Sequence, residues 1–350
     1  MIKELHISNF TRFEEARFRF GSGLNLFIGE NGTGKSHILK LAYSLTSVLA
    51  ENEMALSAPT RDYLEGAVAL KLRRVFRPDK FGRLVLRKRG QSRSSVSCSF
   101  GRNAPSLDFS FSTKSDTKVT VSGFPGKWFD KSPVFFPTRE LMSIYPNFVS
   151  IYDTTEGLEI DSTWRDTCLL LGALEKRGPK ETIIKEFLQP LEEAMGGRIG
   201  LERGGRFYLN LPNEKMEMHL VAEGLRKLAM VARLIATGSL LDKGYLFWDE
   251  PESNLNPKIV KQVANTIVSL ARNGIQIFVA THSLFLMREI HILLNQSDSA
   301  PNARFFGFHL DEGGVVVKSG KSMDDVGDVT SLREDLSQSE RYIDLEMGAT

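Results

Sequence analysis

The chain has 350 residues, 41% apolar and 25% charged, with a formal net charge of +2. That size and balance fit one large globular domain, or one domain carrying an insertion, and exclude a disordered or fibrous chain. They also exclude a global field directed at nucleic acid or a membrane surface. Cys98 and Cys168 lie far apart with no CxxC partner, so a disulfide framework and a zinc site are not expected, and a reducing compartment fits. The opening MIKELHISNF lacks the apolar core of a signal peptide, and no stretch approaches the ~20 apolar residues of a membrane helix. The expectation is a cytoplasmic protein with no membrane contact.

In chain order, Ile2, Leu5 and Ile7 alternate with polar residues and predict a strand over 2–9. A second short strand fits Ala16–Phe20, and the apolar run Leu24–Ile28 predicts a buried third. From Gly34 to about Leu49 the apolar residues take helical spacing, as they do over 62–76. The period then falls to two in four runs, at Leu84 and Leu86, Val96 to Phe100, Leu107 to Phe111, and Val119 and Val121. Gly, Ser, Asn and Pro separate them, which predicts a four-stranded antiparallel meander.

Val134–Phe136 predicts another strand, stopped by Pro137. Helices follow over 163–177 and 180–195, separated by Gly178-Pro179, then short strands over 198–202, 206–211 and 216–220. An α/β pattern closes the chain: helix 223–236, strand 244–248, helix 257–272, strand 275–280, a helix from Leu284, and strands at Phe305–His309 and Val315–Val317. The polar tail after Lys321 predicts one helix and some disorder. No repeat, low-complexity tract or long heptad stretch is present.

Gly29-Glu30-Asn31-Gly32-Thr33-Gly34-Lys35-Ser36 fits G-x-x-x-x-G-K-[ST] between a predicted strand and a predicted helix. Phosphate binding needs inward-turned backbone N–H groups, glycines that allow close approach, and a helix start aimed at the anion. Lys35 would pair with β/γ oxygens and Ser36 would ligate Mg²⁺. The strand Tyr245–Trp248 ends in Asp249-Glu250, placing one carboxylate to hold Mg²⁺ and a second to polarise the attacking water. On its own such a pair also reads as a strand cap at a loop. Pro251-Glu252-Ser253-Asn254-Leu255-Asn256-Pro257 follows, and Ile277–Ala280 leads into Thr281-His282-Ser283. A histidine at that strand end can reach the γ-phosphate and the water.

These motifs, with Ala222-Glu223-Gly224-Leu225-Arg226-Lys227 between them, stand in the order of the ABC ATPase superfamily. The wording resembles its RecF/SMC/OLD-like branch, the AAA-family ATPases of bacterial anti-phage systems. The resemblance is specific over roughly 1–45 and 215–310 and only general over 50–215. It implies an α/β P-loop NTPase head with a mixed central sheet, an antiparallel meander and an inserted helical lid or arm. The core would be about 1–50 and 215–320, the arm-lid 51–214, and the polar tail 321–350.

The resemblance further implies ATP and Mg²⁺ as cofactors and a site shared by two heads. Residues 29–36 of one copy would face the Ala222-Glu223-Gly224 signature and the Ser253, Asn254 segment of another, giving a homodimer or a higher even oligomer. Glu250 and His282 would be catalytic, and Ser36 and Asp249 would hold the metal. Two departures stand out. Ala222 occupies the place of the signature serine, leaving its contact to Gly224 N–H, Arg226 or Lys227. The segment after Val134–Phe136 offers Arg139 and Glu140 where many relatives carry glutamine.

Ten basic residues, Lys71, Arg73, Arg74, Arg77, Lys80, Arg83, Arg87, Lys88, Arg89 and Arg93, are opposed only by Asp79. Three readings stay open: phosphates of a nucleic acid, an acidic protein partner, or a solvated face balanced in space. No base-reading motif is visible, so nucleic-acid binding would be indifferent to sequence. The leading expectation is an ATP-dependent sensor or regulator of a defence or toxin system controlling a separately encoded effector, since too few residues follow His282 for an appended nuclease domain. The alternative is a RecF-like repair ATPase. A transporter subunit fits the basic insertion and the Asp-Glu-Pro-Glu-Ser-Asn-Leu wording poorly.

Overall fold

The computed structural model describes residues 1–51, 57–87, 90–101, 106–155, 157–176, 181–242, 244–296, 300–311 and 314–348. The chain opens with the hairpin β1 (Glu4–Phe10) and β2 (Phe13–Arg19), joined by Thr11 and Arg12. Then come β3 (Leu24–Gly29), α1 (Lys35–Ala50) and α2 (Arg61–Phe76). Helix α2 starts where the Thr60 hydroxyl accepts from Tyr63 N–H, and it stops at Arg77 in a left-handed conformation.

Three strands follow: β4 (Arg93–Ser99), β5 (Leu107–Ser112) and β6 (Thr120–Gly123). Strand β4 adds to β1, giving a five-stranded antiparallel sheet in the order β2-β1-β4-β5-β6. The run expected as the first meander strand is instead a 3-10 turn, Phe81–Leu84, with a single bridge from Val85 to Phe10. Phe81 and Leu84 are both buried, and a 3-10 turn puts residues three apart on one side, which an alternating strand would not.

Next come β7 (Pro133–Phe136), α3 (Tyr145–Thr154), α4 (Ser162–Leu171) and α5 (Glu181–Met195). Helix α3, not among the elements predicted from the sequence, fully buries only Phe148, with Tyr145, Val149 and Tyr152 packed partly buried beside it. The helix expected over 163–177 stops at Leu171, with Gly172 as its C-cap packed on Tyr145, where an added Cβ would lie 2.2 Å from the phenolic oxygen. The Gly178-Pro179 boundary lies outside the described residues. Strands β8 (Arg198–Leu201), β9 (Phe207–Asn210) and β10 (Lys215–Glu217) form a small antiparallel sheet.

The chain then runs through α6 (Glu223–Ala236), β11 (Tyr245–Asp249), α7 (Pro257–Arg272), β12 (Gln276–Thr281) and α8 (Leu284–Asn295). It ends in β13 (Ala303–Asp311), β14 (Gly314–Gly320) and α9 (Thr330–Gly348).

The central sheet has six strands in the order β14-β13-β3-β12-β11-β7, parallel except for β14. Strands β3, β12, β11 and β7 are buried almost along their whole length, as parallel strands covered on both faces require. In β11, Tyr245 and Phe247 join the core shared with the five-stranded sheet and α1, whereas Leu246 and Trp248 join the core under α6, α7 and α8. Two buried amides tie the layers together. Gln276 bonds the backbone of Ile2 and Gly21, and Asn25 bonds Gly21 and Ile277.

The topology decides where chemistry collects. Strands β3, β12 and β11 are adjacent and parallel, with Ile28 opposite Thr281 and Ala280 opposite Asp249. Their carboxyl ends therefore share one edge, where ligands bind in open α/β sheets.

Candidate active site

The loop after β3 turns through Gly32 and Gly34, at φ +79° and +90°. At Gly34 a Cβ would also meet the Phe13 ring at 2.8 Å, so only glycine fits beneath the hairpin. Thr33 Oγ1 donates to Glu30 O at 2.8 Å, and Arg12, at the tip of the β1–β2 turn, donates to Gly32 O at 2.5 Å. Lys35 folds back over the loop and donates to Gly29 O at 2.7 Å and Glu30 O at 2.8 Å. Burial holds its ammonium below the usual lysine range, against the pull of Glu250, Asp249, Glu252 and Glu30. Helix α1 begins here at Lys35, and a helix start beside such a loop favours an anion.

Ser36 Oγ donates to Asp249 Oδ1 at 3.0 Å, joining the end of β11 to the loop. A hydroxyl and a carboxylate oxygen so close form a hard-oxygen pair of the kind Mg²⁺ selects, and the loop beside them would present phosphate oxygens to complete the shell. The residues present thus fit Mg²⁺ and a nucleotide phosphate.

Burial pushes the Asp249 carboxyl up to about 6, only partly offset by the Ser36 hydrogen bond. A raised carboxyl stabilises the fold fully below its unfolded value and loses that contribution as pH rises through about 6. At pH 7.5 the ionised side chain is therefore a strain on the nucleotide-free fold, on the order of 2 kcal/mol. Asp249→Asn should raise the thermal midpoint of the nucleotide-free protein by a few degrees. Calorimetry at pH 7.5 and pH 5 checks this, since the gain should shrink at the lower pH.

Glu250 follows with φ +46°, its N–H donating to Ala280 O at 2.9 Å. That bend brings its Oε1 to 3.3 Å from His282 Nδ1, at the end of β12. Thr281 Oγ1 donates to Glu252 Oε1 at 2.6 Å, fastening the loop after β11 to the neighbouring strand. The structure thus brings Lys35, Ser36, Asp249, Glu250 and His282 to one edge.

Ala222, Glu223 and Gly224 lie elsewhere on the chain, at the start of α6, where no side chain caps the helix. Asn254 Nδ2 donates to Glu223 Oε1 at 2.8 Å, and Gly224 packs against the Asn254 carbonyl. Ala222, Gly224, Asn254 and Asn256 line a cleft of ≈ 730 Å³. The two cations expected to replace the signature serine are turned into their own chain. Arg226 pairs with Glu140 at 2.8 Å and bonds Val221 O, and Lys227 is buried against the loop after β11. Glu140 also accepts from Ser143, whereas Arg139 is exposed.

Three features escaped the sequence. Arg12 reaches the loop only because a two-residue turn aims it there. His37 and Phe76 line a cleft of ≈ 650 Å³ with Arg12, and burial holds the His37 imidazole neutral, at about 4. Thr330 Oγ1, at the start of α9, donates to Glu30 Oε1 at 2.6 Å, so residues 329–331 lie beside the loop and His282.

The basic segment divides. Lys71 pairs with Asp166 at 2.8 Å, Arg77 donates to Leu158 O and Arg83 pairs with Asp79. Arg73, Arg74, Lys80, Arg87 and Arg93 are exposed, as is Arg83, while Lys88 and Arg89 lie outside the described residues.

No curated protein matches the sequence. The fold is similar to an SMC head bound to the C-winged helix domain of ScpA, with a TM-score of 0.58, 13% identity, and coverage of 92% of this chain and 98% of that one. It is also similar to an SMC head domain with an extended coiled coil, bound to the C-terminal domain of ScpA, derived from Pyrococcus furiosus. There the TM-score is 0.53 and the identity 13%, over 97% of this chain and 99% of that one. At such identity the likeness is one of fold. The family model described as "AAA domain, putative AbiEii toxin, Type IV TA system" matches residues 24–288, well over half of the chain. The chain therefore belongs to this AAA-domain family.

Proposed function

We propose that the chain binds Mg·ATP on residues 29–36 and hydrolyses it to ADP and phosphate, in a site closed by a second copy. The observation carrying this reading is the meeting of Ser36 with Asp249 and of Glu250 with His282 at three adjacent strand ends. The loop N–H groups hold the phosphates, and Lys35 exchanges its two backbone carbonyls for phosphate oxygens. Ser36 and Asp249 hold Mg²⁺, which supplies charge neutralisation at the transferring phosphoryl group. Glu250 orients the attacking water and takes its proton, and His282 hydrogen-bonds the same water or the γ-phosphate. The cleft beside Arg12, His37 and Phe76 offers an arginine and aromatic surface to the base. Ala222–Gly224 and Ser253–Asn254 would close the site from the other copy, through helix N–H groups rather than a serine hydroxyl.

The family description supports a role in a toxin system, and control of a separate effector is our reading of that role. The exposed arginines of 73–93 favour a second reading, sequence-indifferent DNA binding in the manner of a repair ATPase. Phosphate release measured with and without duplex DNA, across a salt series, tests both. Mg²⁺-dependent release unmoved by DNA supports the effector reading. Release stimulated by DNA and steeply lost with salt supports the second. No release under any condition refutes the hydrolytic proposal.

A further inference from the structure

Lys227 sits one turn into α6, 3% exposed. Its ammonium donates to the Glu250 carbonyl at 2.9 Å, the Ser253 hydroxyl at 2.7 Å and the Ser253 carbonyl at 3.3 Å. Ser253 Oγ lies 2.9 Å from the Glu250 carbonyl and 3.2 Å from that of Thr138, after β7. All three ammonium donors therefore have acceptors on one loop, and none of those acceptors is a carboxylate.

Packing alone does not explain this choice. Burying an ammonium costs several kcal/mol, and a methionine fills similar volume without that cost. The facing carboxylates of Glu252, Glu250, Glu223 and Asp249 favour the charged form, yet burial still lowers Lys227 to about 8. The return for that cost lies at Glu250. Its left-handed backbone, at φ +46°, is one that a non-glycine residue holds only when its surroundings over-determine it. Ala280 O fixes its N–H at 2.9 Å and Lys227 fixes its carbonyl, so the direction of its side chain is set from both sides.

We propose that Lys227 is a positioning residue for hydrolysis, holding the Glu250 backbone so that its carboxylate is aimed at the attacking water. This rests on Glu250 as the base. Because α6 begins at Ala222–Gly224, the same side chain links the state of that helix start to the aim of Glu250.

Turnover, KM, affinity for a fluorescent ATP analogue and thermal midpoint, measured on full-length Lys227→Met, Lys227→Gln, Lys227→Arg, Glu250→Gln and the Lys227→Met/Glu250→Gln double variant, test it. A misaimed base should cost Lys227→Met about 10–100-fold in kcat, with KM and analogue affinity within about twofold. Lys227→Arg should recover part of the loss, and the double variant should be no slower than Glu250→Gln. If Lys227→Met does not fold, Lys227→Gln must show the same split. Wild-type kcat in Lys227→Met or Lys227→Gln beside a dead Glu250→Gln overturns the positioning role and leaves the base standing. Parallel loss of kcat and affinity means a merely structural lysine and also overturns it. Turnover retained by Glu250→Gln removes the base and the proposal with it.

Discussion

Glu250→Gln should bind ATP with wild-type affinity and lose turnover by about 10²–10⁴-fold, the usual contribution of a positioned general base. The substitution keeps the side chain's length and its place beside His282 Nδ1, 3.3 Å away in the wild type. It removes the carboxylate charge and, with it, the ability to take a proton. The proposed nucleotide contacts come from 29–36 and from Ser36 with Asp249, and the Glu250 side chain is hydrogen-bonded to neither Ser36 nor Lys35. Single-turnover phosphate release together with analogue binding checks both halves. Wild-type turnover would move the base to another group, and lost affinity would place Glu250 in binding instead.

Lys35→Ala should lose nucleotide binding by ~100-fold or more. Its ammonium makes two short bonds to Gly29 O and Glu30 O, and exchanging these for phosphate oxygens is worth about 3 kcal/mol of charge-assisted contact. Burial already holds this ammonium below the usual lysine range, so a phosphate charge beside it is favourable in both directions. The fold should survive, because α1 is held by the apolar residues from Ile38 to Leu49 rather than by Lys35. Titration calorimetry with Mg·ATP reads the loss, and retained affinity would contradict the phosphate-loop role.

The sequence displayed whatever a local period or a fixed spacing encodes. Leu24–Ile28, the glycines at 29, 32 and 34, and the helix after them can be read along the chain because strand, loop and helix are contiguous. Asp249-Glu250 and His282 were readable as strand ends for the same reason. Contacts between distant segments that obey no period were not readable. Lys227 was a candidate for the contact of the missing signature serine, yet its partners are backbone carbonyls and a hydroxyl more than a score of residues away. Arg12 is aimed by a hairpin turn, Glu252 is held by Thr281, and Thr330 reaches Glu30 from the far end of the chain. The basic run looked uniform in sequence but divides into internal pairs at Lys71, Arg77 and Arg83 and exposed arginines around them.

In the proposed function the surface of Ala222–Gly224 and Asn254, at the start of α6, closes the site of a second copy. Sedimentation velocity of Glu250→Gln, with and without Mg·ATP, tests this most directly. The account predicts a dimer that forms only with Mg·ATP and disappears when Lys35→Ala is added. A species that binds nucleotide yet stays monomeric across the concentration range would contradict it.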